Sequence, residues 1–182
     1  MDKKEKTQIT LIVGAVLIIF SVCLIQLNFQ EVLQTNASLQ GNKTIGWGIK
    51  RSNNNMQPDV GEFNRKILEE NNGICLGKDT EKIIYLTFDE GYEAGYTEKI
   101  LNTLKENDVK ATFFITSHYL NTASELVERM INEGHTVGNH TVNHKSMPSI
   151  SDEEIEKEIM KLHQAVMEKF NYEMKYMRPP KG

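Results

Sequence analysis

The chain has 182 residues, with a hydrophobic content of 39%, a charged content of 25% and a formal net charge of -4. These values are typical of one globular domain with additional segments. The negative net charge offers no basic surface, so we expect no nucleic-acid partner. The two cysteines do not predict a disulfide framework, because Cys23 lies inside an apolar run and leaves Cys75 without a soluble partner.

An uncharged apolar run, ITLIVGAVLIIFSVCLIQL, occupies residues 9–27. At about 1.5 Å per residue, a helix of this length reaches across the roughly 30 Å core of a bilayer. Lys3, Lys4 and Lys6 precede the run, and the first basic residue after it is Lys43. The positive-inside rule therefore predicts a cytoplasmic N-terminus and an extracytoplasmic remainder.

The predicted organisation has four parts. Residues 1–8 form a basic cytoplasmic N-terminus, residues 9–27 a single-pass signal-anchor helix in the cell membrane, residues 28–72 an extracytoplasmic linker and lead-in, and residues 73–182 the folded domain. A cleaved signal peptide is the alternative explanation of the leader. Its best small-residue cleavage site is the TNA that ends at Ala37, well past the apolar run.

Strands and helices alternate after the linker. The segment GEFNRKILEEN predicts a short helix before Gly73, and KIIYLTFDE is an apolar run typical of a strand buried on both faces. A helix follows in GYTEKILNTLKENDV. Its apolar face contains Ile100, Leu101 and Leu104, and Thr97 is the expected N-cap.

The alternation continues to the last residues. KATFFITS predicts a second strand, TASELVERMINEG a helix that ends at Gly134, HTVGNHTV a third strand, and MKYM the start of a fourth. In SISDEEIEKEIMKLHQAVMEKF, Ser151 and Glu154 have the spacing of a capping box. We attribute the charges of SDEEIEKE to the helix dipole and to solubility. The pattern predicts an α/β fold with a parallel sheet, open or closed into a barrel.

Reactive residues follow three of the predicted strands. Asp89 and Glu90 end the first strand, His140 and His144 follow the third, and Arg178 follows the fourth. Active sites in parallel α/β folds lie at the carboxyl ends of the strands. Two imidazoles four residues apart, with a carboxylate from elsewhere, suit a divalent metal. One adjacent carboxylate could bind the metal while the other accepts a proton from water.

Ordinary explanations exist for the same residues. An HxxxH spacing alone is weak evidence for a metal site, and an adjacent Asp-Glu pair is usually a solvated turn. We expect the remaining histidines, His118, His135 and His163, to be structural or to face solvent.

Three motifs in this order, TFDEGY, HTVGNHTVNH and RPPKG, make the chain resemble the polysaccharide deacetylase family, the NodB-like carbohydrate esterases. The family patterns read TFDDG, H-S/T-x-x-H and R-x-P-x-G. The segments WGIKRSNNN…PDVGEF and YLTFDEGYEAGYTEKIL look similar to the branch that deacetylates muramic acid in spore-cortex muramic-δ-lactam synthesis. The resemblance covers about residues 45–182.

The resemblance implies three catalytic assignments. Asp89 matches the base that deprotonates the attacking water, and Arg178 matches the arginine that orients this base. Lys181 stands where a backbone N–H helps to stabilise the oxyanion. The implied reaction is hydrolysis of an N-acetyl amide on an amino sugar, with release of acetate.

The resemblance also implies a divalent metal, with Zn²⁺ as the expected ion. His140 and His144 match the two histidine ligands. Glu90 falls where the family normally has an aspartate ligand, and its extra methylene moves the carboxylate by about 1.5 Å. The muramic-acid branch often departs from aspartate at this position.

The family fold is a distorted (β/α) barrel of about seven or eight strands, of which this chain would supply about four. Two later family motifs have no counterpart in the sequence, so we expect a C-terminally truncated form with low or no activity alone. Peptidoglycan is the expected partner. The alternatives are a deacetylase of N-acetylglucosamine or chitin-like polymers, and a non-catalytic wall-binding pseudoenzyme.

Overall fold

The structure is a computed structural model that describes Gln26, residues 44–54 and residues 56–181. The predicted membrane helix at residues 9–27 lies outside this description, apart from Gln26. Within the described ranges, no helix has both the length and the apolar character needed to cross a bilayer. The compact unit that contains the elements below extends from Ile45 to Gly182.

A parallel sheet with helices between its strands forms the described fold. Its elements in chain order are α1 (Glu62–Glu70), β1 (Thr87–Glu90), α2 (Thr97–Glu106), β2 (Thr112–Ile115), α3 (Ser117–Thr122), α4 (Ser124–Asn132), β3 (Thr136–Asn139), a 3-10 helix (Met147–Ser149) and α5 (Asp152–Phe170). The sheet order is β1-β2-β3, and both pairings are parallel. The predicted α/β class with a parallel sheet is therefore confirmed.

One face of the sheet supports the hydrophobic core. Successive strand residues point to opposite faces, so Phe113, Ile115 and Val137 share a face. All three are fully buried, and they pack in one cluster with residues of α2, α4 and α5: Leu101, Met130, Leu162 and Val166. Burial of apolar surface at about 25 cal/mol per Å² is the main force that holds these helices to the sheet.

The opposite face has Asp89, Phe114 and Gly138 side by side on β1, β2 and β3. A Cβ atom at Gly138 would lie 2.5 Å from Cδ1 of Phe114 and 3.3 Å from the carbonyl oxygen of Tyr176. The Phe114 ring thus occupies the space that any side chain at position 138 would need. Gly138 is required here for a close approach of ring and backbone.

The longest helix begins where the sequence predicted. The Ser151 side chain accepts a hydrogen bond from the Glu154 N–H at 3.3 Å. The helix ends at Phe170 and is capped by Asn171, which has a left-handed φ of 51°. The predicted cap of α2 was wrong. Thr97 is the first helical residue, and the Glu93 carboxylate instead accepts from the N–H of Tyr96 at 2.9 Å, because its longer side chain reaches the free donors of the first turn.

One helix was absent from the sequence-based prediction. Helix α3 begins directly after β2, where the Thr116 hydroxyl accepts a hydrogen bond from the Tyr119 N–H at 3.2 Å. The single helix expected between β2 and β3 is therefore two helices, separated at Ala123. The predicted end at Gly134 is confirmed, since Gly134 adopts a φ of 78°.

The first strand is shorter and more exposed than predicted. We expected strand structure over KIIYLTFDE with burial on both faces, whereas β1 contains four residues and begins at Thr87. The preceding apolar residues are exposed, and Ile84 is 87% exposed. The prediction was wrong because β1 pairs only with β2 in the described sheet, so its other edge contacts no described strand.

The predicted fourth strand is reduced to one parallel bridge between Asn139 and Met177. The Asn139 N–H donates to the Tyr176 carbonyl at 2.9 Å. Earlier along this edge, the Val137 N–H donates to the Tyr172 hydroxyl at 3.1 Å. A side-chain oxygen therefore takes the place of a strand carbonyl, and the backbone ladder does not extend beyond the bridge.

We predict that Gly138→Ala destabilises the protein by about 1 to 3 kcal/mol, because the new methyl group displaces the Phe114 ring. Urea unfolding followed by circular dichroism would measure the change. The matched control is Gly48→Ala, since a Cβ at Gly48 meets nothing within 4 Å. Equal unfolding free energies for the two variants would contradict the prediction.

Candidate active site

Asp89 is held by Arg178 on the open face of the sheet. The guanidinium donates to Asp89 Oδ1 at 2.6 Å and to Thr87 Oγ1 at 3.0 Å. It also lies 4.2 Å from the centroid of the Phe114 ring, a cation–π arrangement. The Asp89 side chain is 45% exposed. The carboxylate is thus fixed in direction and still open to water, as a general base requires.

Asn139 places the segment that contains Arg178. The Arg178 N–H donates to the Asn139 carbonyl at 2.9 Å. The buried Asn139 side chain donates to the Ile159 carbonyl of α5 at 2.8 Å and accepts from the Thr141 N–H at 2.9 Å. One amide therefore connects β3, α5 and the loop that follows the strand. Sequence reasoning missed this residue, although a polar residue at the end of a buried strand was a usable signal.

The two predicted histidine ligands come together. The Nε2 atoms of His140 and His144 are 3.1 Å apart, the separation expected of two imidazoles on one ion at about 2.0 to 2.1 Å each. His140 Nδ1 lies 2.8 Å from the Arg178 carbonyl oxygen. A carbonyl oxygen only accepts, so Nδ1 is assigned the proton and Nε2 presents its lone pair. The histidine pair therefore fits a divalent metal.

The loop between the histidines has an unusual backbone. Thr141 has a φ of 71° and His144 a φ of 54°, both in the left-handed region. This conformation is unfavourable for a β-branched residue such as Thr141. The His144 N–H donates to the Thr141 hydroxyl at 3.0 Å, which closes the turn. The strained turn is what brings the two imidazoles to the same point.

Glu90 occupies a different environment from Asp89. It is only 9% exposed, and burial raises the pKa of its carboxyl to about 7, with the charges of Glu93 and Asp89 acting in the same direction. Among the described residues, no three His, Cys, Asp or Glu side chains are grouped closely enough to hold a metal. Glu90 is thus not gathered with His140 and His144, because consecutive strand residues face opposite sides.

Glu93 follows Glu90 in the chain and accepts hydrogen bonds from residues of helices α2 and α3. Its Oε2 atom accepts a hydrogen bond from the Tyr119 hydroxyl at 3.0 Å, while Oε1 accepts from the first turn of α2. Tyr119 is fully buried. Sequence reasoning did not identify Glu93, since a single glutamate in a turn carries no distinctive pattern.

Lys181 lies in an exposed turn that follows the buried Pro180, and its φ is 67°. The residue after it is outside the described residues. Its role as a backbone donor to an oxyanion stays a prediction.

The other histidines are placed as expected. His118 is exposed and His163 is half-buried on α5. His135 is buried, and its Nδ1 accepts from the Ala111 N–H at 3.2 Å. Burial lowers the pKa of His135, so its neutral ring serves as a structural acceptor beside the sheet.

The structure is that of an α/β protein whose parallel sheet has an aspartate-arginine pair and a histidine pair at its carboxyl end. A family model described as polysaccharide deacetylase matches residues 76–182. The chain belongs to the polysaccharide deacetylase family.

Known proteins show how far this similarity extends. The chain is 39% identical over 142 residues to the peptidoglycan-N-acetylmuramic acid deacetylase PdaA of Bacillus subtilis. This alignment covers 78% of this chain and 54% of that relative. It is 45% identical over 161 residues to an uncharacterised 30.6 kDa protein of Geobacillus stearothermophilus, covering 88% of this chain and 60% of the relative. The chain thus spans 54% to 60% of the length of these relatives.

Solved structures agree with the fold. The structure of Bacillus subtilis PdaA, a family 4 carbohydrate esterase, superimposes with a TM-score of 0.74 at 39% identity, covering 78% of this chain and 61% of that one. A family 4 carbohydrate esterase from Bacillus anthracis gives a TM-score of 0.70 at 41% identity, covering 78% and 64%. The partial deacetylase fold expected from the sequence is therefore confirmed.

We predict that Glu90 makes the stability of the metal-free protein depend on pH. The folded-state pKa of about 7 lies above the ordinary value of 4.5, so the folded protein holds a proton that the unfolded chain releases. Stability should therefore fall by up to about 3 kcal/mol as pH rises from 4.5 to 7 and stay level above that. Urea unfolding from pH 4.5 to 8 would measure this decline.

Glu90→Gln should remove this part of the pH dependence, because glutamine does not titrate. Glu98→Gln, an exposed change on α2, is the control and should keep the wild-type profile. If the Glu90→Gln and wild-type profiles ran parallel, the raised pKa would be refuted.

Proposed function

We propose that this protein hydrolyses N-acetyl amide groups on amino sugars of peptidoglycan, with muramic acid as the preferred sugar, and releases acetate. The observation that carries the proposal is the double role of Arg178. Its guanidinium holds Asp89 and its carbonyl oxygen holds His140. One residue thus connects a candidate base to a candidate metal ligand, the two components that metal-assisted amide hydrolysis needs.

His140 and His144 would hold the divalent metal, with Zn²⁺ as the proposed ion, and the metal would supply Lewis acidity toward the amide carbonyl and the attacking water. Asp89 takes the proton of that water. Arg178 directs the Asp89 carboxylate and balances its charge. Glu90 stands at the position of the family's third ligand but is not grouped with the histidines among the described residues, so this proposal assigns the metal to the two histidines. The backbone N–H of Lys181 as an oxyanion donor is a further part of the proposal.

The choice of sugar is supported by similarity. The Bacillus subtilis relative is named a peptidoglycan-N-acetylmuramic acid deacetylase, and it aligns over 142 residues. A Bacillus cereus relative named peptidoglycan-N-acetylglucosamine deacetylase aligns over 99 residues at 37% identity. The longer alignment favours muramic acid, and N-acetylglucosamine is the second candidate.

We also propose that the domain acts on the extracytoplasmic side of the cell membrane, during formation of the spore cortex. The support is the apolar run at residues 9–27, with its preceding lysines, and the similarity of the upstream segment to the muramic-acid branch. Peptidoglycan lies on that side, so substrate and site would share a compartment.

Because the sequence predicts low activity for this chain alone, we predict only slow release of acetate from muramic-acid-containing glycan with added Zn²⁺. Asp89→Asn should reduce that rate by about 100-fold or more, since an amide cannot accept the proton of water. Asp79→Asn, an exposed change in a turn, is the matched control. Absence of acetate from the wild-type chain would refute the activity of this chain. Faster release from N-acetylglucosamine oligomers would instead establish the second candidate.

A second prediction concerns the arginine. Arg178→Lys should lower kcat by about 10- to 100-fold with a smaller change in KM, because one ammonium group cannot reproduce the fork that contacts both Asp89 and Thr87. Arg51→Lys, at an exposed position, is the control. Steady-state acetate release measures both constants, and an unchanged kcat would contradict the orienting role.

A further inference from the structure

Helix α5 contains a buried carboxylate that no motif predicted. Glu158 is only 4% exposed, although it belongs to the charged segment that sequence analysis attributed to the helix dipole and solubility. A carboxylate buried to this degree is retained only where hydrogen-bond donors satisfy it. Its partners therefore indicate its role.

Among the described residues, the hydrogen-bond donors to the Glu158 carboxylate come from the loop between the two histidines. The Asn143 N–H donates to Oε2 at 2.7 Å, and the Asn143 side-chain amide donates to Oε1 at 2.6 Å. The Val142 N–H donates to the backbone carbonyl of Glu158 at 3.0 Å. Lys145 Nζ lies 4.0 Å from Oε1 and supplies a positive charge at the edge of the contact.

These contacts fasten a backbone that is unfavourable by itself. Thr141 and His144 have left-handed φ angles, and such conformations persist only when the surroundings impose them. Asn139 holds the start of the loop from β3, whereas Glu158 holds its middle from α5. Hydrogen bonds to a carboxylate are shorter and stronger than those between neutral groups, so the two bonds from Asn143 make Glu158 an anchor of the loop.

We infer that Glu158 is a positioning residue for the histidine pair. Through Asn143 it fixes the loop so that the Nε2 atoms of His140 and His144 face one point. The inference rests on the proposed function for the metal and extends it by adding a residue of α5 that touches neither metal nor substrate. The metal affinity of the site would then depend on a helix that contributes no ligand.

Three substitutions separate this role from a general effect on folding. Glu158→Gln keeps the size of the side chain, but its amide has only one acceptor oxygen and turns its NH₂ toward an Asn143 donor. Asn143→Ala removes the side-chain donor and keeps the N–H. Glu156→Gln makes the same change of charge at an exposed position of the same helix, and it is the matched control.

The test uses the purified chain and two independent measurements. Isothermal titration with Zn²⁺ should show that Glu158→Gln weakens binding by about 10- to 100-fold, while Glu156→Gln binds as the wild type does. Asn143→Ala should also weaken binding. The double variant should bind no more weakly than Glu158→Gln alone, because the two residues form one contact.

The second measurement does not need the metal. In NMR spectra of the metal-free chain, Glu158→Gln should accelerate amide exchange at Asn143 and shift the imidazole nitrogens of His140 and His144. Wild-type Zn²⁺ affinity together with unchanged exchange and imidazole shifts would overturn the inference, even if the melting temperature fell. A wild-type chain that binds no Zn²⁺ would instead refute the proposed metal. The exchange and imidazole shifts would then decide the positioning role alone.

Discussion

The site depends on the way in which Arg178 is held. Its N–H donates to the Asn139 carbonyl, its carbonyl oxygen accepts from His140, and its guanidinium reaches Asp89 while lying over the Phe114 ring. Main chain and side chain of one residue thus set the direction of a carboxylate and the tautomer of an imidazole. A displacement of this segment would disturb both groups together, because they share one support.

The pleat of the sheet directs the side chains of Asp89 and Glu90 to opposite faces. Asp89 and Glu90 are neighbours in sequence, yet one faces the open side with Arg178 and the other faces the helical layer, where burial raises the pKa of its carboxyl. Gly138 lets the Phe114 ring lie close to β3 on the open side. The same alternation that builds the hydrophobic core therefore gives two adjacent carboxyls different chemistry.

Two buried polar side chains hold the histidine loop against the sheet and helix α5. Asn139 and Glu158 are nearly inaccessible to water, and each bonds to backbone groups around the histidines. Unpaired polar groups in such positions would cost roughly 1 to 3 kcal/mol each, so the loop and helix α5 stabilise one another. The site is thereby built on rigid elements rather than on the loop alone.

The sequence by itself determined the parallel α/β pattern, the start and end of α5, and the residues that lie at the carboxyl ends of the strands. Apolar periodicity and capping depend on residues a few positions apart, so a linear pattern contains them.

Only the tertiary structure decided the short β1, the single bridge of the expected fourth strand, the separation of Glu90 from the histidines and the burial of Glu158. These outcomes depend on contacts between distant residues: Glu158 and Asn143 are 15 positions apart, and Arg178 and Asp89 are 89 apart. Whether a charged side chain is solvated or buried against a distant partner is set by packing, which no local pattern records.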